Sequence, residues 1–484
     1  MYDAFTVELI NEAPRFGELD LAELPKSLTD DYTKIVSLRL CINEQALSND
    51  EYEGLIKTQA EAQRIALTYE AYLAGSLNND KRLKRAAAFV SASAHQVWAM
   101  AEKIRVSPII ENPYVSANNI HPHLSCAILF FISGYTADAA EVAKSFKTDD
   151  NNLSTEICLI KNIKNLLAGR ITLPIPSTIN FPEDSWGENV AIESLWKIIN
   201  EGLVTLIKIL GGEPETDETS LASAIASFNL AKELSTDIAS IQLEQFSFSF
   251  TSNFAGPRHL SVLLLALAEE ISDIALVKTP VPDQINSQSW LSQLRDFAKK
   301  RPYLWPNHLE AIKSGYLEIG TSAVMSFPTG GGKSTLAELK IAVALQNGKS
   351  VIFIAPTLAL VDQISKNLNE AFPTVKTMFD MSEFGMESIE IENLPDISVM
   401  TPESCLVRMS FNPELFTNVG LFIFDECHLL HPKSEETIDR RSIDSMLCLI
   451  YILEISPETD VLLMSAMMQN SAEIASWIQD ISGK

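Results

Sequence analysis

Residues 326–335 read SFPTGGGKST, and no other stretch narrows the fold as much. Three consecutive glycines lead into Lys333, Ser334 and Thr335. Glycine has no Cβ, so Gly330, Gly331 and Gly332 let the backbone curl and aim several N–H groups at one anion. A helix opening at Lys333 adds the positive end of its dipole. In such a cradle, spanning Thr329 to Thr335, Lys333 reaches the outer phosphates of a nucleoside triphosphate and Ser334 binds Mg²⁺. An ordinary glycine-rich turn explains the glycines. It does not explain a short apolar run before them (TSAVMSFP), a helical pattern after them (STLAELKIAVALQNG), and Lys-Ser between. The strict form of the pattern wants Gly or Ala at position 327, where this chain has Phe327.

The rest of the chain after about residue 300 keeps the same rhythm. KSVIFIAP, ISVMT, VGLFIFDE and TDVLLMSAM are short apolar runs, with helical patterns such as TLALVDQISKNLNEAF among them. Apolar strands alternating with helices predict a parallel α/β sheet with helices on both faces. In such sheets the chemistry sits beyond the carboxyl ends of the strands.

Residues 1–299 predict a mainly α-helical region. Apolar positions recur at three- and four-residue spacing in 51–77, 81–104, 151–169, 189–210 and 219–235. Residues 124–146 predict two helices around a turn at Gly134. ITLPIPSTINFPEDSWGE (171–188) and GGEPETDETS (211–220) predict linkers that split this half into two subdomains, and KTPVPDQINSQS (278–289) a third. FSFSF (246–250) alternates like a strand. No strict period emerges, so a helical-repeat stack and a plain bundle both fit.

Composition excludes several classes. The formal net charge is −26, so the overall field repels nucleic acid and any grip on it is local. The six cysteines form no CxxC pair, which suits a reducing cytoplasm and gives a zinc site no support. No signal peptide and no apolar run long enough for a membrane span is present in the sequence.

A second signal is LFIFDECHLL (421–430). Asp425 ends an apolar run, where a magnesium-shell carboxylate belongs; Glu426 is placed to polarise a water, and His428 follows. Alone, this fits an acidic turn equally well. In order, however, the chain carries PTGGGKST, APTLALVDQ (355–363), TPES (401–404), DECH (425–428) and SAM (465–467). That series resembles the first RecA-like domain of superfamily 2 helicases, the DEAD/DEAH-box group, over residues 300–484. MSAMMQNSAEIASWI (464–478) is similar to the Ski-type branch. The resemblance implies an ATP-dependent helicase or translocase on single-stranded DNA or RNA, with ATP and Mg²⁺ as cofactors. It assigns ATP, magnesium and water positioning to Lys333, Ser334, Asp425 and Glu426, with Ser334 and Asp425 on the metal. It assigns coupling to His428, Ser465 and Ala466, and a nucleic-acid path to Thr357, Gln363, Thr401, Pro402 and Glu403.

Four positions depart from the family pattern. His308, in WPNHLEAI, stands where a Gln reads adenine, and an imidazole cannot copy an amide's paired donor and acceptor. Leu358 replaces a common Arg, Met467 a common Thr, and Phe327 is large. The family works with two such lobes, and the resemblance implies that the second, absent from this sequence, is supplied in cis or trans. A large helical extension ahead of the motor is similar to helicases of bacterial antiviral defence such as Hachiman, which implies a protein effector such as a nuclease as partner. The competing expectation is a nucleotide-gated regulator whose helical region controls that effector.

Overall fold

The computed structural model describes residues 2–16, 23–42, 48–75, 80–105, 114–148, 154–171, 174–176, 187–213, 220–236, 238–243, 246–251, 254–327, 332–379, 394–430, 440–466 and 471–483. The chain forms two compact units. The first is Met1–Val277 with Ala298–Tyr303, and the second is Lys278–Phe297 with Leu304–Lys484.

The first unit is built from helices α1 (Ala4–Glu12), α2 (Leu24–Ile42), α3 (Asn49–Gly75), α4 (Lys81–Arg105), α5 (Pro122–Ile132), α6 (Thr136–Lys144), α7 (Thr155–Leu167), α8 (Glu188–Leu210), α9 (Leu221–Leu234) and α10 (Ala255–Ile274). A two-stranded antiparallel ribbon, β1 (Ile238–Leu243) with β2 (Phe246–Thr251), lies between α9 and α10. Local chemistry sets the helix ends. Pro122 opens α5, where its missing N–H costs nothing. Ser154 caps α7, its Oγ accepting from the Ile157 N–H at 3.4 Å. Gly134, at φ +90°, makes the turn expected between α5 and α6. Successive helices from α3 to α10 pack on one another, and α10 also returns to α3, α5 and α8. A linear repeat stack has contacts only between neighbours, so this unit is a closed bundle.

A buried carboxylate ties three of these helices. Glu70 on α3 hydrogen-bonds the ring Nε2 of His95 on α4 at 2.8 Å and that of His259 on α10. Burial would push its carboxyl up; hydrogen bonds and charge from the two imidazoles, His259 before His95, outweigh that and hold it at about 2.

The second unit contains α11 (Ser287–Ala298, up to Phe297), α12 (Pro306–Lys313), β3 (Ala323–Ser326), α13 (Lys333–Gln346), β4 (Ser350–Ile354), α14 (Leu358–Ala371), β5 (Thr377–Phe379), β6 (Ile397–Met400), α15 (Pro402–Phe411), β7 (Val419–Phe424), α16 (Arg440–Ile455), β8 (Asp460–Ser465) and α17 (Ser471–Ser482). Its six strands pair in the order β3-β8-β7-β4-β6-β5, every pair parallel. Strands β6 and β8 are buried throughout and β4 and β7 nearly so, as a sheet covered on both faces requires. Behind the sheet, Lys340 of α13 is buried. It donates to the Glu318 carbonyl at 2.7 Å and pairs with Asp460 at the start of β8 at 3.2 Å. Among the described residues no helix is long and apolar enough to cross a membrane.

Candidate active site

Because all six strands are parallel, their carboxyl ends share one edge, and every sequence-marked motif with described residues leaves the sheet there. Strand β3 pairs with β8 so that Ser326 lies opposite Ser465, and the Phe327 N–H donates to the Ser465 carbonyl at 3.2 Å. The chain thus enters the glycine loop directly beside the SAM segment. Thr329, Gly330 and Gly331 lie outside the described residues, as does Met467. Gly332 is described: it is left-handed, at φ +79° and ψ +19°, and caps α13. A Cβ there would collide with the His308 ring. Both conditions demand glycine. Lys333 and Ser334 then occupy the first turn of α13, half-buried and exposed, while Thr335 is buried and donates its N–H to the Gly332 carbonyl at 3.0 Å.

His308 is placed by α12. Its Nδ1 accepts from the Trp305 N–H at 3.2 Å, and the two rings stack with centroids 5.5 Å apart and 8° between planes. The imidazole is 2% exposed and wedged against Gly332, so it shapes the loop from below and offers no open ring face. Trp305, 37% exposed, covers it. The sequence reading passed over Trp305. Its signal was the aromatic directly before Pro306 and three residues from His308, but only the fold brings its indole beside Gly332.

Two strands further along the sheet, β7 ends at Phe424 and its ladder continues one residue, the Asp425 N–H donating to the Ile354 carbonyl of β4 at 3.0 Å. The Asp425 carboxyl is half-buried and takes the Glu426 N–H at 2.9 Å. Burial raises its pKa; the adjacent Glu426 charge adds to that, while Lys333 pulls it down. A hydroxyl at Ser334 and a carboxylate at Asp425 are hard oxygen donors, which fits Mg²⁺ held largely by phosphates and water.

Glu426 adopts φ +53°, the left-handed region that costs a side-chain-bearing residue about 1 kcal/mol or more. The turn sets its carboxylate 3.1 Å from His428 Nδ1. The same nitrogen lies 3.3 Å from Ser465 Oγ, and Ser465 is fully buried at the end of β8. One imidazole therefore bridges the DECH turn to the SAM strand. Ala466 follows, half-buried. Between them, Cys427 points into the core, where burial pushes its thiol up to about 12, so it is inert.

The remaining predicted residues occupy the far part of the same edge, at the ends of β4 and β6. Thr357 caps α14, its Oγ1 accepting from the Leu360 N–H at 3.3 Å. Thr401 caps α15 likewise, through the Ser404 N–H at 3.4 Å, with Pro402 buried at the first helical position and Glu403 half-buried in the first turn. The two caps stand on adjacent strands, the Ala355 N–H donating to the Met400 carbonyl at 3.0 Å. Gln363 is exposed more than a turn into α14, away from the caps.

The profile of the DEAD/DEAH box helicase family matches residues 305–474. Residues 305–474 thus match a DEAD/DEAH box helicase domain. The match runs from Trp305 through the SAM segment into α17, so it takes in every motif just placed. Over 185 residues the chain is 27% identical to the DExH-box ATP-dependent RNA helicase DExH10 of Arabidopsis thaliana, covering 38% of this chain and 17% of that protein. Over 194 residues it is 26% identical to the antiviral helicase SKI2 of Saccharomyces cerevisiae, covering 40% of this chain and 13% of that protein. It is 24% identical over 184 residues to the ATP-dependent DNA helicase Hel308 of Methanocella arvoryzae, covering 37% and 24%. The matched part thus spans less than a quarter of each relative's length.

Proposed function

We propose that this chain is the ATP-binding lobe and helical extension of a superfamily 2 nucleic-acid translocase of the Ski-like branch. The observation that carries the reading is the bridge from Glu426 through His428 to Ser465, set across the same sheet edge as Lys333 and Asp425. In this reading the α13 N-terminus and Lys333 hold the β- and γ-phosphates of ATP. Ser334 and Asp425 hold Mg²⁺, which when bound neutralises charge developing on the phosphate oxygens. Glu426 orients the attacking water and accepts its proton. His428 passes the change at Glu426 to Ser465, and so to β8 and the segment after it. The Thr357 and Thr401 caps put two helix N-termini on the strand-path side, where backbone N–H groups hold phosphates without reading bases. Such contacts need no basic patch, which reconciles nucleic-acid binding with a net charge of −26. The transition-state arginine belongs to a second RecA-like lobe, in cis or trans. The chain works in the cytoplasm, and its helical unit docks a protein effector.

The test is ATP hydrolysis by the chain, alone and with a second RecA-like lobe, with and without single-stranded DNA or RNA. Turnover is expected only in the two-lobe assembly and to rise with one nucleic acid. Lys333→Ala is expected to abolish nucleotide binding, and Glu426→Gln to keep binding while losing about a hundredfold or more in turnover. Stimulated hydrolysis that survives both substitutions would sink the proposal.

A further inference from the structure

Two turns into α13 from Lys333, a buried lysine joins that helix to the opposite end of the sheet. Residues 335–344 are buried, and Lys340 is the one basic residue among them. Its ammonium meets the Glu318 carbonyl at 2.7 Å, Asp460 Oδ2 at 3.2 Å and the face of the Tyr316 ring, 5.8 Å from the centroid. Asp460 opens β8, and its Oδ2 also accepts from the Gly320 N–H at 3.1 Å. Beside it the Val461 N–H donates to Ser322 Oγ at 3.0 Å. Burial raises the Tyr316 pKa, so the phenol keeps its proton and donates to the Leu336 carbonyl at 3.1 Å. One segment, residues 316–322, is thus tied to α13 by Tyr316 and Glu318 and to β8 by Gly320 and Ser322. The Lys340–Asp460 pair ties the two elements directly.

Stability alone does not call for ions here. Taking a lysine and an aspartate out of water is costly, and a well-packed apolar pair in their place is often as stable or more so. What the ions add is direction. An ammonium held by a carbonyl, a carboxylate and a ring face fixes one register between helix and strand, where apolar contacts tolerate small slides. The two elements so registered carry the two ends of the site. Lys340 lies seven residues, about 10 Å, along α13 from Lys333. Asp460 lies five residues, about 17 Å, before Ser465 on β8. Leu336, the Tyr316 acceptor, is in the first turn of α13, three residues after Lys333. At the other edge β3 pairs with β8 as far as Ser326 and Ser465, and the glycine loop leaves from there. The loop is therefore slung between two fixed posts, the β3–β8 ladder on one side and, through α13, this joint on the other.

We infer that Lys340, Asp460 and Tyr316 are positioning residues that lock α13 to the start of β8, so that phosphate gripped at the α13 N-terminus restrains β8 from its first residue. They act through the helix and the strand, not on the nucleotide. This role rests on α13 holding phosphate, as proposed above. It gives β8 a second tie to the nucleotide site, since His428 meets the strand only at its last residue.

The test is amide hydrogen exchange in the full chain, with and without Mg²⁺ and saturating AMP-PNP. In the unaltered chain the nucleotide is expected to slow exchange about tenfold both in α13 and in residues 461–463 of β8. Lys340→Met with Asp460→Leu keeps the space filled and removes the directed contacts. This double variant is expected to melt within about 3 °C of the unaltered chain. Its AMP-PNP affinity is expected to stay within about threefold and α13 to stay protected, while the protection at 461–463 disappears. Tyr316→Phe removes one hydroxyl and carries the same test where the double variant does not fold. It is expected to cut the protection at 461–463 to about threefold. Undiminished protection at 461–463 in either folded variant would overturn the assignment, as would a nucleotide that protects α13 alone in the unaltered chain. A nucleotide that protects neither element would instead sink the reading of α13 as the phosphate-holding helix, and this role with it.

Discussion

At the scale of single residues, the coupling assignment turns on His428. Its ring is exposed on one side yet contacts both Glu426 and Ser465, so it can be removed without opening the core. In the two-lobe assembly, His428→Ala is expected to leave basal ATP hydrolysis within about threefold while abolishing most of its stimulation by nucleic acid. Equal loss of basal and stimulated rates would make His428 part of the chemical step instead. Lys333 and Ser334 could be marked from the glycine loop itself, because a phosphate cradle ties residue type to spacing, whereas Asp425, Glu426 and His428 could be marked only through the ordered series of motifs, since DECH alone fits an acidic turn. Trp305 was not legible, because its meaning depends on a stacking partner and on a loop that only folding brings near. His308, marked in the sequence for standing where the family pattern has a Gln, is buried against Gly332 and supports the glycine loop.

At the scale of elements, five of the sheet's six strands could be read as apolar runs, each ending where a motif begins. Strand β5 could not: three residues, Thr377–Phe379, carry too little pattern to stand out. Strand order was also hidden, since it rests on crossovers rather than on any local pattern. In the helical unit the amphipathic rhythm gave α3 to α9 but not α1 or α2, while Glu70, which joins α10 to α3, is a polar residue that periodicity counts as surface. Its folded pKa of about 2 lies below the ordinary 4.5. The stabilisation is therefore fully present above about pH 4.5 and is lost as pH falls through about 2. The gap corresponds to on the order of 3 kcal/mol. Glu70→Gln is expected to lower the urea midpoint of the helical unit clearly at pH 7, with the deficit shrinking as pH falls from about 4.5 towards 2. A deficit independent of pH would mean that lost packing, not charge, is responsible.

At the scale of the whole molecule, the boundary between the units is set by burial rather than by where the strand-and-helix rhythm begins. The sequence reading divides the chain at 299/300, where apolar runs start to alternate with helices. Contacts give Lys278–Phe297 to the sheet-bearing unit. Trp290 of α11 is 1% exposed, and its indole N–H donates to the Thr279 carbonyl at 3.3 Å. Phe297 meets Phe372, at the end of α14, edge to face with centroids 5.5 Å apart. The Asp283 N–H donates to Glu318 at 3.2 Å. Burying Leu294, Trp290 and Phe297 contributes about 2 kcal/mol each as an upper estimate. A fragment beginning at residue 278 is accordingly expected to fold cooperatively and to bind nucleotide. One beginning at residue 300 exposes the apolar surface that α11 covers, and is expected to melt at least about 5 °C lower or to aggregate. Matched melting curves and equal nucleotide affinity for the two fragments would show that α11 is a passenger on the lobe rather than part of its core.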